Sequence, residues 1–398
     1  MMKKILFLTP QLPYPANSGG LIKTQKLLEY FSNKYELHLC CFLKGSNVLN
    51  PDNYLTTTKI ADVKYYSFEK KRTLANYLKS IIYHTPLSVY RNRSTEMFDF
   101  VKQKAMQVDT IFIDHFIMAQ YVPKSFTGHV VLHQHNAEYV MWDRCAAYET
   151  NILKKLVLKY ESKRIQAYER SICKFSAVIL AAPNDITALM SLGISKDKFF
   201  ETLHLGDEEL IGLPNISYKD TEQSLLVIGS LDWEANRDGL LWFLRKVWPL
   251  LSKEYASLRF NIIGRNPGEE VENEVSRHDG ISLLGFVDDL NQYYSSSRVF
   301  LAPLRFGSGI KVKIINALYR GIPISTTSIG AEGLAVETGR DIYIADSAEE
   351  MANQIAILLN DEQQWNEIRD NSRALARKYY TWDTTLKVAD KALNAIKQ

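Results

Sequence analysis

The sequence lacks the features that would tie it to a membrane span, a disulfide framework or a metal. No run approaches the roughly 18 uninterrupted apolar residues that a spanning helix requires. Cysteine occurs only four times in 398 residues (Cys40, Cys41, Cys145, Cys173), and none of these shows the C-x-x-C spacing of zinc or redox sites. A secreted disulfide scaffold is thereby excluded, and a soluble protein of a reduced, cytoplasmic compartment is expected. The opening MMKKILFLTPQLPYP has two lysines and a short apolar run, but Pro10 stops the run and no small-residue cleavage site follows. It reads as a first β-strand. No Asp-x-Asp pair and no G-x-x-x-x-G-K-[ST] loop occurs, so neither a carboxylate clamp for a metal-bound diphosphate nor a P-loop is available. No aromatic-interleaved basic motif appears either, and nucleic acid is not an expected partner.

What is present is an ordinary globular composition: 46% hydrophobic, 23% charged, with 19 Gly and 12 Pro. That excludes disorder, collagen and coiled coil as the main state, and the length suggests two or three domains. The net charge of +3 hides an asymmetry, because residues 1–216 hold 27 Lys/Arg against 20 Asp/Glu and the remainder hold 21 against 25. The basic excess peaks in Asn151–Lys174, with seven basic and two acidic residues. Such a stretch is either a solvated helix face or a surface for an anionic acceptor or the anionic inner face of the plasma membrane.

Strand and helix patterns alternate through both halves. In the first, strands are expected at Lys4–Thr9, Leu37–Phe42, Thr110–Ile113, His129–Leu132 and Ala177–Ala181, with a long helix over Ile152–Phe175. The alternation restarts after Asp220, with strands at Leu225–Ile228, Arg259–Gly264, Ile281–Leu284, Arg298–Pro303, Ile324–Thr327 and Ile342–Ala345. The expected class is α/β, with two doubly wound Rossmann-like domains over residues 1–210 and 217–381.

Ligands of open α/β sheets bind beyond the carboxyl ends of the strands, which singles out three loops. Asn17-Ser18-Gly19-Gly20 follows the first strand and opens a helix, so its backbone N–H groups can approach an anion; the bland reading is a simple Gly-Gly turn. Arg305-Phe306-Gly307-Ser308-Gly309-Ile310-Lys311-Val312-Lys313 combines exposed N–H groups, a helix start and fixed positive charge, the three ingredients of an anion site. Its alternative is a glycine-rich turn with solvated lysines. The third group is Asp114-His115 with His133-Gln134-His135-Asn136-Ala137-Glu138, where acid/base chemistry or contacts to sugar hydroxyls are plausible. His133 and His135 share one face of a strand, but no third metal ligand has an obvious place, and no metal is expected.

These residues resemble the glycosyltransferases of family 4 (group 1), which have the GT-B fold of two Rossmann-like domains facing across a cleft. The matching stretches run from Gly229-Ser230-Leu231-Asp232 through Ile263-Gly264-Arg265, Gly285-Phe286-Val287-Asp288 and Pro303–Lys313 to Gly330-Ala331-Glu332-Gly333. His135-Asn136-Ala137-Glu138 and Leu205-Gly206 match more loosely. The resemblance implies a nucleotide-sugar donor on the second domain and a glycan or lipid-linked acceptor on the first. It implies transfer with retention and without metal or other cofactor, and a C-terminal helix, about 382–398, packed back on the first domain. It also places a base contact at Val287, the phosphate loop at Ser308, Gly309, Ile310 and Lys311, and the donor-side glycines at Gly19, Gly20 and Gly229. His135, Asn136 and Glu138 are expected to meet the acceptor or the sugar.

Two departures accompany the resemblance. The paired glutamates of many members fall on Ser308 and Asn316; Asn316 can still meet a ribose hydroxyl, but Ser308 has no carboxylate. The Arg and Lys that many members place on the diphosphate fall on Ser230 and Asn236, which shifts the expected charge to Arg305, Lys311 and Lys313. The catalytic histidine of some members falls on Asp114, with His115 beside it. Within this frame a sugar-nucleotide epimerase, or a binding subunit without catalysis, is the alternative to a transferase.

Overall fold

In the computed structural model the described residues are 2–16, 19–43, 59–67, 70–307 and 309–396. The chain divides into two compact units, Met1–His204 with Trp382–Gln398, and Leu205–Thr381.

The first unit is a seven-stranded parallel sheet of β1 (Lys4–Thr9), β2 (Glu36–Leu43), β3 (Asp62–Ser67), β4 (Thr110–Asp114), β5 (His129–His133), β6 (Val178–Ala181) and β7 (Phe199–Glu201), in the order β3-β2-β1-β4-β5-β6-β7. Its central strands are continuous apolar runs because helices cover both faces; Leu6, Phe7, Ile111, Phe112, Val131 and Leu132 are all buried. The strand order reverses between β1 and β4. Ile5 pairs with Thr110 and Leu8 with Ile113, so Thr9 and Asp114 finish side by side at that reversal. The helix Gly19–Ser32 follows β1, and the last helix, Trp382–Ala395, returns to it. There Asp390 accepts hydrogen bonds from Lys34 (2.8 Å) and Tyr35 (2.6 Å).

The second unit is a six-stranded parallel sheet of β8 (Glu222–Ile228), β9 (Arg259–Ile263), β10 (Ile281–Gly285), β11 (Ser297–Ala302), β12 (Ile324–Thr326) and β13 (Tyr343–Ile344), in the order β10-β9-β8-β11-β12-β13. Here the order reverses between β8 and β11. The helix that follows β8 begins at Glu234 and is irregular: it opens into a π-turn at Phe243–Val247 before resuming at Trp248. Pro249 has no N–H to donate and its ring crowds the preceding turn, which accounts for the wider turn. The segment from Leu205 packs within this unit. The Asn316 Oδ1 accepts the Asp207 N–H at 2.9 Å, and Arg373 donates to the carbonyls of Ile211 and Leu213, each at 2.7 Å.

Candidate functional site

The carboxyl ends of β1, β4 and β5 place a buried polar network at the reversal point of the first sheet. Asp114, the last residue of β4, is fully buried and both its oxygens are occupied. Oδ2 accepts from the hydroxyls of Thr9 (2.8 Å) and Thr24 (2.7 Å). Oδ1 lies 2.7 Å from His133 Nδ1 and 2.9 Å from His135 Nε2. Burial by itself raises the pKa of such a carboxyl, but the charge of His135 and the hydrogen bonds of both imidazoles outweigh it and hold Asp114 well below the usual carboxylate range. Asp114 is thus an ionised acceptor that fixes each neighbouring ring with a nitrogen–hydrogen toward it.

Two further rings and a lysine complete the network. His133 and His204 stack at 5.7 Å between centroids. Burial, and then the Lys23 ammonium, holds both rings well below the ordinary imidazole value, so both are neutral at pH 7. Lys23 is fully buried and donates to the Thr202 carbonyl (3.2 Å) and hydroxyl (3.0 Å). Burial lowers it to about 7 against the pull of Asp114.

The sequence offers no third ligand beside His133 and His135, but the fold supplies one: Asp114, His133 and His135 bring their ligand atoms within 4.8 Å of one another. The two imidazole–carboxylate separations, 2.7 and 2.9 Å, are those of hydrogen bonds. The trio is a hydrogen-bonded network that positions His135.

Of the residues singled out from sequence in this unit, Asp114 therefore reaches a ligand only through His135, which is partly exposed. An ideal Cβ at Gly20 would lie 3.2 Å from His135 Nδ1, so the ring abuts the start of the Gly19–Ser32 helix. His115 sits at the same mouth, its ring 5.2 Å from that of His135. Its φ of 90° is unusual for a non-glycine residue and turns the chain abruptly after β4. Asn136 is half-buried on the loop. Glu138, at the start of the helix Glu138–Tyr148, accepts from Trp142 Nε1 at 3.4 Å, and burial raises its carboxyl. Its N–H and that of Tyr139 donate to Glu169 at 2.8 and 3.0 Å.

In the second unit the reversal point lies between Gly229, after β8, and the loop that follows β11. Lys313 reaches the Gly229 turn and donates to Asn236 Oδ1 at 2.7 Å. Asn236 in turn donates to the Ser230 carbonyl at 2.8 Å. A Cβ at Gly229 would lie 3.4 Å from Lys313 Nζ. Lys311 is buried and donates to the Gly309 carbonyl. Burial first, and then the charge of Lys311, lowers Lys313 to about 7. Among the described residues no ion pair joins a carboxylate to Lys313. Two lysine side chains thus lie at the carboxyl end of the sheet, beneath a loop whose Gly307 and Gly309 have φ of 131° and 75°.

Arg305, one of the three basic residues expected at the diphosphate, is placed differently. Its guanidinium grips Asp238 through two hydrogen bonds, 2.9 and 2.5 Å, which neutralise it and tie the loop to the helix after β8. Ser308 lies outside the described residues, as do Asn17 and Ser18. Ile310 is buried. The Oδ1 of Asn316 is committed to Asp207, against Gly206, where a Cβ would fall 1.7 Å from that oxygen. Val287 is half-buried after β10, next to Phe286, whose ring carries the Arg265 guanidinium at 3.8 Å.

Thr9, Thr24, Lys23, His204 and Asp238 were not legible as site residues, since each lies on a strand, on a helix or, for His204, on the stretch after β7, and its neighbours appear only in the fold. A separate cavity of about 820 Å³ opens at the amino ends of β1, β4 and β5, lined by Lys3, Asp109 and His129. It lies at the end of the sheet opposite the glycine loops.

Residues 222–361 match the family model of group 1 glycosyl transferases. A 44.6 kDa protein of the cps region of Klebsiella pneumoniae is 25% identical over 393 residues, covering 95% of this chain and 97% of its own. The fold is that of GT-B glycosyltransferases: Anabaena HepE, solved with UDP and glucose, superposes with a TM-score of 0.69 at 14% identity, with all of both chains covered. Sucrose-phosphate synthase of Thermosynechococcus elongatus gives 0.70 at 13%, with 99% of each chain covered. These comparisons show the GT-B fold for the chain, likeness to group 1 glycosyl transferases over residues 222–361, and likeness along nearly the whole chain to a protein of a cps region. No helix among the described residues is long and apolar enough to cross a membrane.

Proposed function

We propose that this chain is a retaining, metal-independent glycosyltransferase of the hexosyltransferase type. It moves a sugar from a nucleotide diphosphate donor to a glycan or lipid-linked acceptor in the synthesis of a bacterial surface polysaccharide. The observation that carries the reading is the Lys311–Lys313 pair at the reversal point of the second sheet. Cleavage of the sugar–phosphate bond leaves its electron pair on the departing diphosphate, and charge that grows in the transition state must be met by groups already in place. Two lysines of one sign, held beneath a glycine loop at a helix start, form that field. The relation to a cps-region protein supports the polysaccharide context, and the UDP of the Anabaena structure suggests a uridine donor. Within this reading Val287 and Phe286 flank the base, Gly229, Gly309 and Lys313 the diphosphate, and His135 a hydroxyl of the sugar or acceptor. An inner-membrane location follows if the acceptor is lipid-linked.

The test is incubation with a panel of labelled sugar nucleotides, with and without a lipid extract. Transfer of label into lipid or glycan is expected. Interconversion of the sugar nucleotide without acceptor would assign an epimerase, and binding without turnover a non-catalytic subunit.

A further inference from the structure

Two helices of the first unit turn apolar residues to solvent. On Leu74–Ile82, Leu74, Leu78 and Ile82 recur every fourth residue and are 74%, 52% and 72% exposed. That spacing aligns them in one stripe. On Ile152–Phe175, the first turns show Ile152, Leu153, Leu156 and Val157 at 73%, 76%, 59% and 47% exposure. The core-facing residues of the same helix, such as Ser162, Ile165 and Ile172, come later and lie on the opposite side. The two helices belong to one surface: Arg164 donates to the Ser80 carbonyl at 2.8 Å and to that of Thr85.

The charge around these stripes is of one sign. Residues 70–83 contain four basic and no acidic side chains, and residues 152–164 contain five basic and one acidic. That acidic residue, Glu161, is buried and paired with Arg164 at 2.6 Å. At the start of the second helix, Lys154 pairs with Glu149, while Lys159 and Lys163 stand exposed along one edge of the stripe. A second protein surface would have to match both leucines and uncompensated lysines. An anionic bilayer does so by its nature, with acyl chains for the apolar stripe and headgroups for long cationic side chains that can extend around it.

We infer that this two-helix face is a docking surface for an anionic lipid bilayer, the apolar stripes entering the headgroup boundary and the flanking lysines meeting the phosphates. The inference stands apart from the transferase reading, because it requires no turnover. It replaces adsorption by charge alone with a specific apolar contact through Leu74–Ile82, a segment whose net charge is unremarkable in the chain as a whole.

The test uses the full chain and sedimentation with phosphatidylcholine vesicles, with or without phosphatidylglycerol. Binding to the anionic vesicles, none to the neutral ones, and several-fold weakening as salt rises past about 0.1 M are expected. The double variants Leu78→Glu/Ile82→Glu and Leu153→Glu/Leu156→Glu should each lower the partition coefficient at least tenfold while melting as the parent does. These side chains are exposed, so the fold does not depend on them. Failure to bind anionic vesicles, equal binding to neutral ones, or double variants that partition like the parent would overturn the assignment. A concentration-dependent dimer abolished by the same substitutions would give the face to a second copy and overturn it equally. Loss of transferase activity with vesicle binding intact would count against the proposed function alone.

Discussion

Lys313 and Arg305 sit in the same basic loop, yet only one of them is offered to a ligand. Arg305 spends its two-pronged geometry on Asp238, whereas Lys313 has an amide oxygen for a partner and a second lysine beside it. Lys313→Ala should therefore lower kcat/KM by about two orders of magnitude, about 3 kcal/mol of transition-state stabilisation. Arg305→Ala should lose less than about tenfold, acting through the loop it anchors. Steady-state kinetics of the two variants decides between them, and an Arg305 loss equal to that of Lys313 would return the arginine to the diphosphate. The lowered pKa of Lys313 adds a second expectation. A diphosphate favours the protonated lysine, so donor affinity should be complete below about pH 7 and fall as pH rises through it. Calorimetric donor titrations at pH 6 and pH 8.5 measure this, and Lys313→Arg, which stays charged, should flatten the dependence.

At the scale of elements, the central strands were legible because they are buried on both faces and read as short continuous apolar runs. The edge strands of the first sheet were not: β3 is Asp-Val-Lys-Tyr-Tyr-Ser with its side chains largely exposed, and β7 has three residues. The glycine loop after β11 was legible for the same local reason, since glycines and a helix start are adjacent in sequence. The Asp114 network was legible only in part. His133 and His135 announce a shared face, but their partner is 19 residues away from His133 on β4, and Lys23 looks like any helix lysine until the helix is laid against Thr202. Two variants separate position from contact in that network. His135→Ala should lower kcat about a hundredfold with little change in Tm, as for a group that meets a hydroxyl. Asp114→Asn should cost about 3–5 kcal/mol of stability as well, because an amide nitrogen would confront donors on every side. Thermal melts beside kinetics give both readings. Gly264 makes a similar case for backbone approach: its Cβ would fall 2.1 Å from the Gly229 carbonyl oxygen. Gly264→Ala should weaken donor binding by lifting the Gly229 turn and should destabilise the second unit by about 1–3 kcal/mol, both visible in a melt with and without UDP.

For the molecule as a whole, the two units carry different kinds of charge at corresponding places. The reversal point of the first sheet buries an anion, Asp114, fully enclosed by donors, and that of the second gathers two cations beneath a glycine loop. An anionic nucleotide should therefore recognise the second unit without help from the first. Hydrogen exchange on the full chain, with UDP as the probe, should slow at the amides of residues 229–231, 264–266 and 309–313 and stay unchanged around Asp114 and His135. The same comparison addresses the metal. If Lys311 and Lys313 supply the charge that the diphosphate requires, a chelator should leave both UDP protection and turnover intact. Among the described residues, the one trio that could hold a cation is Asp114 with His133 and His135, hydrogen-bonded at 2.7 and 2.9 Å. Should EDTA abolish protection at 309–313 and Mg²⁺ restore it, the lysine pair would not be the counter-charge. Should EDTA instead alter exchange around Asp114 alone, the buried network would have to be read as a metal site.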